Sequence, residues 1–249
     1  MRRRTMLLGA GMALGTGLAG IGTMTFRWHA SPRRTQGLSD AHLRNLQALP
    51  AGTGPRVLFV GNSMTLRHDL PTKVAALAAE AGVSVQIAHA AARGSRLVEA
   101  WQIEGLRAAL ATGWDVLVLQ DFSTTCLRAP DRWGSAHAMR EMAQAAQARA
   151  VLLYPTWAFP PGHRVYQEGA GILTRPPADP ADFARCITAH YDSIAQAEGW
   201  TRAPVTEVLQ QDTALWLEDD LHHPNPTGTA RIAGVLWRSL QQLLAQNSA

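Results

Sequence analysis

The sequence predicts an α/β fold, in the form of a three-layer α/β/α sandwich around a central five-stranded parallel sheet. Five short apolar runs rich in β-favouring residues follow one another along the chain, at 56–60, 84–88, 115–119, 150–154 and about 204–208. Longer segments rich in Ala, Leu, Gln and Glu separate these runs, and each is long enough for a crossover helix. The runs lack strict alternation of apolar and polar residues, which is typical of strands covered on both faces.

The composition favours one enzyme-sized domain and argues against nucleic-acid binding. The chain has 249 residues, 47% of them hydrophobic, so it can bury a sizeable core. Its net charge of +4 comes from the first 30 residues, which hold four of the 23 basic residues and no acidic one. The remaining basic and acidic residues balance, and no basic run with interleaved aromatics occurs, so we expect no nucleic-acid partner.

Residues 1–30 resemble an export signal, with a basic head followed by an uncharged stretch rich in Gly and Ala. The segment Arg3–Leu7 fits the twin-arginine pattern, which predicts a periplasmic or secreted protein. Residues 28–30 make a poor cleavage site, so an uncleaved anchor that leaves the protein facing the periplasm is the alternative. In either case, we expect membrane contact only through this N-terminal segment.

The rest of the chain divides into a linker and one domain. Residues 31–54 are polar, contain Pro and Gly, and include one short helical pattern around 39–48. We predict a single α/β domain over residues 55–249. Within it, residues 159–180 form a long Pro- and Gly-rich excursion of the kind that makes the rim or lid of a site.

Small and polar residues follow the first four predicted strands. Asn62 and Ser63 follow the first strand, Gly94 the second, Gln120 the third and Trp157 the fourth. In open parallel sheets, ligands bind beyond the carboxyl ends of the strands, so these residues are expected at one edge. Ser63 on its own could equally cap a helix.

The C-terminal stretch LEDDLHHPNPTG, residues 217–228, supplies the partners that a serine nucleophile needs. A serine hydroxyl requires a base, and the base requires a group that orients it. The pairs Asp219–His222 and Asp220–His223 have the same spacing. Pro224 disfavours helical dihedrals at the preceding residue, which favours His223 as the base, Asp220 as its partner and Ser63 as the nucleophile.

Metal and cofactor chemistry is not indicated. The adjacent His222 and His223 have no further ligands at metal-site spacing, and we expect neither a metal nor a cofactor. Cys126 and Cys186 lack the spacing of zinc or thioredoxin-like sites. The sequence does not decide whether the two cysteines form a disulfide.

The motifs together resemble those of the SGNH, or GDSL-like, hydrolases, in a bacterial branch with a GNS first block. Four blocks carry the resemblance: GNS at 61–63, Gly94 within AARGSRL, LQD at 119–121, and Asp220–Pro224 as Asp-x-x-His-Pro. The resemblance implies a flavodoxin-like fold and a serine ester hydrolase. The third block lacks the usual asparagine, and Gln120 is its candidate replacement.

The resemblance further implies an oxyanion hole made by the backbone N–H groups of Ser63 and Gly94 and by the side chain of Gln120. Gln120 could instead hold a loop at the end of its strand, and Gly94 could be an ordinary turn glycine. Asn62, Trp133 and Trp157 are candidates for substrate binding, since exposed aromatic faces can stack on sugars.

We therefore expect an exported serine esterase acting on a carbohydrate ester or another small polar ester. An O-acyltransferase would use the same site, because a sugar hydroxyl can replace water as the acceptor. A non-catalytic binding domain and a flavodoxin-type nucleotide binder are the alternatives from other classes. The sequence leaves the oligomeric state open.

Overall fold

The computed structural model describes residues 54–91, 93–167 and 176–246. The predicted export signal at 1–30, nearly all of the predicted linker and part of the 159–180 excursion lie outside this part of the chain. Among the described helices, none combines the length and the apolar character needed to cross a bilayer.

A five-stranded sheet forms the centre of the protein, and all four strand pairings are parallel. The spatial order is β2-β1-β3-β4-β5, which is the flavodoxin-like order. The strands are β1 (Arg56–Gly61), β2 (Gln86–Ala91), β3 (Val116–Leu119), β4 (Ala150–Leu153) and β5 (Thr201–Arg202). The predicted fold class is thus confirmed.

Nine α-helices lie within the described residues, and several short 3₁₀ turns join them to the sheet. The helices are α1 (Ser63–Leu66), α2 (Leu70–Glu80), α3 (Leu97–Ala100), α4 (Glu104–Leu110), α5 (Ala129–Ala146), α6 (Pro180–Glu198), α7 (Val205–Gln210), α8 (Thr213–Trp216) and α9 (Pro226–Gln246).

Successive strand residues point to opposite faces of the sheet, and each face has its own apolar core. Leu58 and Val60 of β1 belong to the core that contains residues of α3, α4, α5 and α6. Val57 and Phe59 belong to the core beneath α2, α7 and α9. This alternation explains why the strands read as continuous apolar runs, and it produces the three layers.

The fifth strand differs from the prediction. It covers Thr201–Arg202, and the Ala203 N–H donates to the Leu153 carbonyl as the last bond to β4. Pro204 follows, and the apolar run predicted as a strand at 204–208 instead begins α7. Val205 and Leu209 are fully buried and have the i, i+4 spacing of a helix. The prediction of a strand for this short apolar run was therefore wrong, because the run follows the period of a helix. The second strand also starts two residues later than predicted.

The two cysteines are free thiols that lie near each other. The Cys186 thiol donates a hydrogen bond to the backbone carbonyl of Cys126 at 3.2 Å. Burial raises the pKa of the Cys126 thiol, which keeps that group protonated.

Candidate active site

Ser63 lies at the carboxyl end of β1, two residues beyond the strand, and is the first residue of α1. The cap of this helix is Asn62, whose side-chain oxygen accepts a hydrogen bond from the Met64 N–H at 3.1 Å. Capping is therefore done by the neighbour, and the Ser63 hydroxyl is left available for other contacts. Because β2 and β3 lie on opposite sides of β1, this strand end is the topological switch point of the sheet.

Gly61 allows the tight approach of the nucleophile turn to β3. A Cβ atom at this position would lie 2.3 Å from the Thr65 hydroxyl and 2.6 Å from Oε1 of Gln120. Neither neighbour has room to move, since both are fully or almost fully buried. The lack of space for a Cβ atom thus explains why glycine is the first residue of the GNS block.

Ser63, His223 and Asp220 form a continuous hydrogen-bonded chain. Nε2 of His223 is 3.0 Å from Oγ of Ser63, and Nδ1 of His223 is 2.6 Å from Oδ2 of Asp220. An ionised carboxylate can only accept, so Asp220 fixes the proton of the neutral imidazole on Nδ1. Nε2 is then the acceptor that faces the serine hydroxyl, as a general base requires.

Asp220 accepts three hydrogen bonds, two from backbone groups of its own turn and one from the base. Its second carboxylate oxygen accepts hydrogen bonds from the backbone N–H groups of His222 and His223, each at 2.9 Å. Partial burial raises the pKa of Asp220, but the hydrogen bonds from the His223 ring and from these two backbone groups outweigh it and lower the pKa to about 2. Asp220 therefore stays ionised at any pH at which an esterase would work.

His222, the other histidine of the stretch, lines the same cleft as Ser63, and its ring packs against other rings. Its ring packs against Phe159 with centroids 4.6 Å apart and against His223 with centroids 4.7 Å apart. His163, in the predicted rim segment, lies parallel to it at 6.2 Å. Burial, with a smaller contribution from His223, lowers the pKa of His222 to about 4, so this histidine is neutral near pH 7.

The turn that carries Asp220 and His223 is closed by backbone contacts. Leu217 and Pro224 form an antiparallel bridge, and the Glu218 N–H donates to the His223 carbonyl at 2.8 Å. Leu221 has a positive φ of 56°, the left-handed conformation that a tight turn requires. Asn225 then caps α9 by accepting from the Gly228 N–H at 2.8 Å.

Glu218 fastens this turn to the segment that follows the nucleophile helix. Its carboxylate accepts hydrogen bonds from the guanidinium of Arg67 and lies 2.8 Å from Nε2 of His68. The hydrogen bond from Arg67 is the main cause of the lowered pKa of Glu218. The sequence analysis did not predict the contacts of Glu218 with Arg67 and His68. About 150 residues separate the partners along the chain, and none of the three residues belongs to one of the four motif blocks.

The two backbone N–H groups predicted to bind an oxyanion belong to residues that line one cleft. Gly94 lines the same cleft as Ser63 and has a positive φ of 69°. Neither the Ser63 N–H nor the Gly94 N–H has a hydrogen-bond acceptor within the described part of the chain. Asn62 connects the two loops, because its amide donates to the carbonyl of Ser95 at 3.0 Å.

Gln120 is placed differently from the prediction. Its side chain is 1% exposed, and Oε1 accepts hydrogen bonds from the Asn62 N–H and the Thr65 hydroxyl, each at 3.0 Å. Its NH₂ group donates to the carbonyl of Asp121. All of its polar atoms face inward, so Gln120 holds the nucleophile turn against β3 and does not point into the cleft.

The residues predicted to bind substrate also differ from expectation. Asn62 is 2% exposed, with both polar atoms used within the protein, and Trp157 is completely buried in the core beneath α9. Neither can contact a substrate. Trp133 was expected in a loop, but it lies within α5, 78% exposed, and is not part of the cleft lining.

The cleft above Ser63 has a volume of about 630 Å³. Besides Ser63, Gly94 and the Asp220–His223 turn, Phe122, Arg93 and a part of the rim segment line it. The rim residues are Gly162, His163 and Arg164. The Pro- and Gly-rich excursion thus borders the site as predicted, whereas the sequence analysis assigned no role to Phe122, His163 or Arg164.

Oxygen and nitrogen atoms of Glu218, Asp220 and His223 lie within 4.8 Å of one another, which is close enough for three ligands of a metal ion. Each of these groups already has a hydrogen-bonded partner. Glu218 contacts Arg67 and His68, and Asp220 and His223 contact each other. The arrangement therefore fits proton transfer better than metal binding.

Comparisons with known proteins agree on the fold. No protein-family model matches the chain, and a search of curated proteins finds no match. Among solved structures, a protein from Slackia heliotrinireducens assigned to the SGNH hydrolases is 24% identical, with a TM-score of 0.63, covering 76% of this chain and all of its own.

Two carbohydrate esterases of family 3 are also similar in structure. The enzyme from Talaromyces cellulolyticus is 16% identical, with a TM-score of 0.60 over 77% of this chain and 99% of its own. The enzyme from Clostridium thermocellum is 15% identical, with a TM-score of 0.58 over 78% and 99%. The chain therefore has the fold of the SGNH hydrolases.

Proposed function

We propose that the protein is an exported serine esterase that removes an O-acyl group, such as acetyl, from a carbohydrate or another small polar ester. The observation that carries this proposal is the hydrogen-bonded chain from Asp220 through His223 to Ser63. It lies at the switch point of the sheet, beside two backbone N–H groups and an open cleft. These are the parts that acyl transfer through a serine requires.

In the proposed reaction, Oγ of Ser63 attacks the acyl carbon while Nε2 of His223 takes the hydroxyl proton. Asp220 stabilises the resulting imidazolium. The N–H groups of Ser63 and Gly94 then bind the oxyanion, and each such donor typically accelerates the reaction by roughly 10²–10³. His223 returns the proton to the leaving alcohol, and a water molecule releases the acyl group from Ser63 in the second half of the reaction.

The assignment of a carbohydrate substrate rests on the structural relatives, two of which are carbohydrate esterases. The esterase test is labelling of the purified protein with a fluorophosphonate probe, followed by peptide mapping. We expect the probe to label Ser63 in the wild-type protein. The variant Ser63→Ala should not be labelled and should not hydrolyse p-nitrophenyl acetate. Unlabelled Ser63 in a folded protein would contradict the esterase proposal and favour a binding domain. Acyl transfer to an added sugar in preference to water would identify an acyltransferase.

Export rests on Arg3 and Arg4, in the twin-arginine pattern of the sequence. Replacing both with lysine should retain the protein in the cytoplasm, as seen by cell fractionation. Unchanged export of the Lys variant would indicate the general secretory route or an anchor.

A further inference from the structure

We propose that the cleft is built for an anionic ester, one that carries a carboxylate or a phosphate group, and that Arg93 and Arg164 bind this group. This inference rests on the proposed esterase function, since it names the substrate class of the same site. It starts from the charges on the lining residues.

The two arginines reach the cleft from different loops. Arg93 immediately precedes Gly94, in the loop after β2, and Arg164 immediately follows His163 in the rim segment. Both residues are exposed and both line the cleft that contains Ser63. They therefore place two guanidinium groups around one reaction centre.

These two positive charges are not neutralised within the described part of the chain. Neither Arg93 nor Arg164 has an ion-pair partner there, whereas nearby Arg67 pairs with Glu218 and Arg96 pairs with Glu99 and Asp131. The carboxylate that lines the cleft belongs to Asp220, and it is occupied by His223 and by backbone N–H groups.

The excess of positive charge is local to the cleft. Residues 31–249 contain equal numbers of basic and acidic side chains, so the domain as a whole is close to neutral. Arg164 also belongs to the groups that lower the pKa of His222, after burial and the neighbouring histidine, so its charge reaches the catalytic turn. A cleft with one sign of charge attracts a substrate of the opposite sign.

Arginine is suited to this task. Its planar guanidinium donates two parallel hydrogen bonds to a carboxylate or a phosphate, and such bonds are stronger than those between neutral groups. A neutral sugar ester would offer neither guanidinium group an anionic acceptor. The charged group of the substrate would thus orient the ester over Ser63.

The test measures binding without chemistry. Wild-type protein is titrated calorimetrically with D-glucuronate, glucose 6-phosphate and methyl glucoside, which share a sugar ring, contain no acyl ester and differ in charge. We expect one or both anions to bind roughly ten- to a hundred-fold more tightly than methyl glucoside, as charge-assisted hydrogen bonds allow. Which anion binds more tightly distinguishes a carboxylate substrate from a phosphate substrate.

The double variant Arg93→Gln/Arg164→Gln should lose this preference. The control Arg107→Gln/Arg238→Gln removes two exposed positive charges from helices α4 and α9, outside the cleft lining, and should keep it. Equal binding of the three compounds, no binding below roughly 10 mM, or equal losses in both double variants would overturn the inference. Since none of these compounds has an acyl group that could be transferred to Ser63, the result does not depend on labelling of Ser63, and each proposal can fail separately.

Discussion

The side-chain amide of Asn62 donates a hydrogen bond to the backbone carbonyl of Ser95 at 3.0 Å. This contact joins the turn that carries Ser63 to the loop that carries Gly94, although 33 residues separate the two partners. The two N–H groups assigned to the oxyanion hole are therefore held relative to each other by one buried side chain. Asn62, predicted to contact substrate, instead connects the two loops whose N–H groups are proposed to bind the oxyanion.

Asn62→Ala should lower both activity and stability. It removes the cap of α1, which typically contributes about 1 kcal/mol, and it removes the hydrogen bond from the Asn62 amide to the Ser95 carbonyl. We expect kcat for p-nitrophenyl acetate to fall by at least about ten-fold, as for a misplaced oxyanion donor, with little change in KM. Steady-state kinetics and urea unfolding measure the two effects.

Asn62→Asp separates the two roles, because a carboxylate can still accept from the Met64 N–H but cannot donate to Ser95. It should retain more stability than Asn62→Ala and still lose activity. Wild-type kcat in Asn62→Asp would show that the contact with Ser95 does not position the oxyanion hole.

Gln120→Ala should chiefly destabilise the protein. It leaves the buried Asn62 N–H and the Thr65 hydroxyl without their acceptor, at a cost of about 1–3 kcal/mol for each unsatisfied group. Activity should fall through displacement of Ser63, and urea unfolding should show the larger effect. A hundred-fold loss of kcat with unchanged stability would instead restore Gln120 as the oxyanion donor expected from the third block.

His223→Ala and His222→Ala should differ strongly in kinetics. Loss of His223 removes the base, and we expect kcat to fall by on the order of a thousand-fold or more, as for other triad bases. Loss of His222 removes packing against Phe159, and we expect less than about a ten-fold effect. Both variants are to be compared as folded proteins by circular dichroism, and the reverse order would transfer the base to His222.

Stability should decrease between about pH 6.5 and pH 4. Burial lowers the pKa of both His222 and His190 to about 4, from an ordinary value near 6.5. The unfolded chain takes up protons at a higher pH than the folded protein, so the stability present above pH 6.5 is lost as the pH falls towards 4.

His222→Gln should weaken this pH dependence, as measured by urea unfolding at several pH values. The control is His137→Gln, which removes a histidine whose side chain is 63% exposed and should leave the slope unchanged. Equal slopes in the wild type and in His222→Gln would contradict the assignment of His222 as a buried neutral histidine.

The local patterns were sufficient to predict the fold. Continuous apolar runs separated by helix-length segments predicted a parallel sheet with helices on both faces, and four of the five strands lie close to their predicted positions. The fifth run was too short to distinguish strand from helix, and its contacts with neighbouring elements decided the outcome. The spacing of Asp220, His223 and Pro224 likewise predicted the pairing that is observed, because it depends on residues within one turn.

Contacts between distant segments could not be predicted in the same way. The sequence by itself determined which residue types follow each strand, and hence that Ser63 and Gly94 would meet at one edge of the sheet. The chemistry of a serine nucleophile and the Asp-x-x-His-Pro block assigned the Asp220–His223 turn to the same site. Only the tertiary structure decided which way each side chain points: it turns the amides of Asn62 and Gln120 inward, buries Trp157 in the core, and leaves two arginines facing the cleft. The physical reason is that a side chain at a strand end can hydrogen-bond to the protein or face the ligand, and the neighbouring loops, rather than its own segment, decide between these.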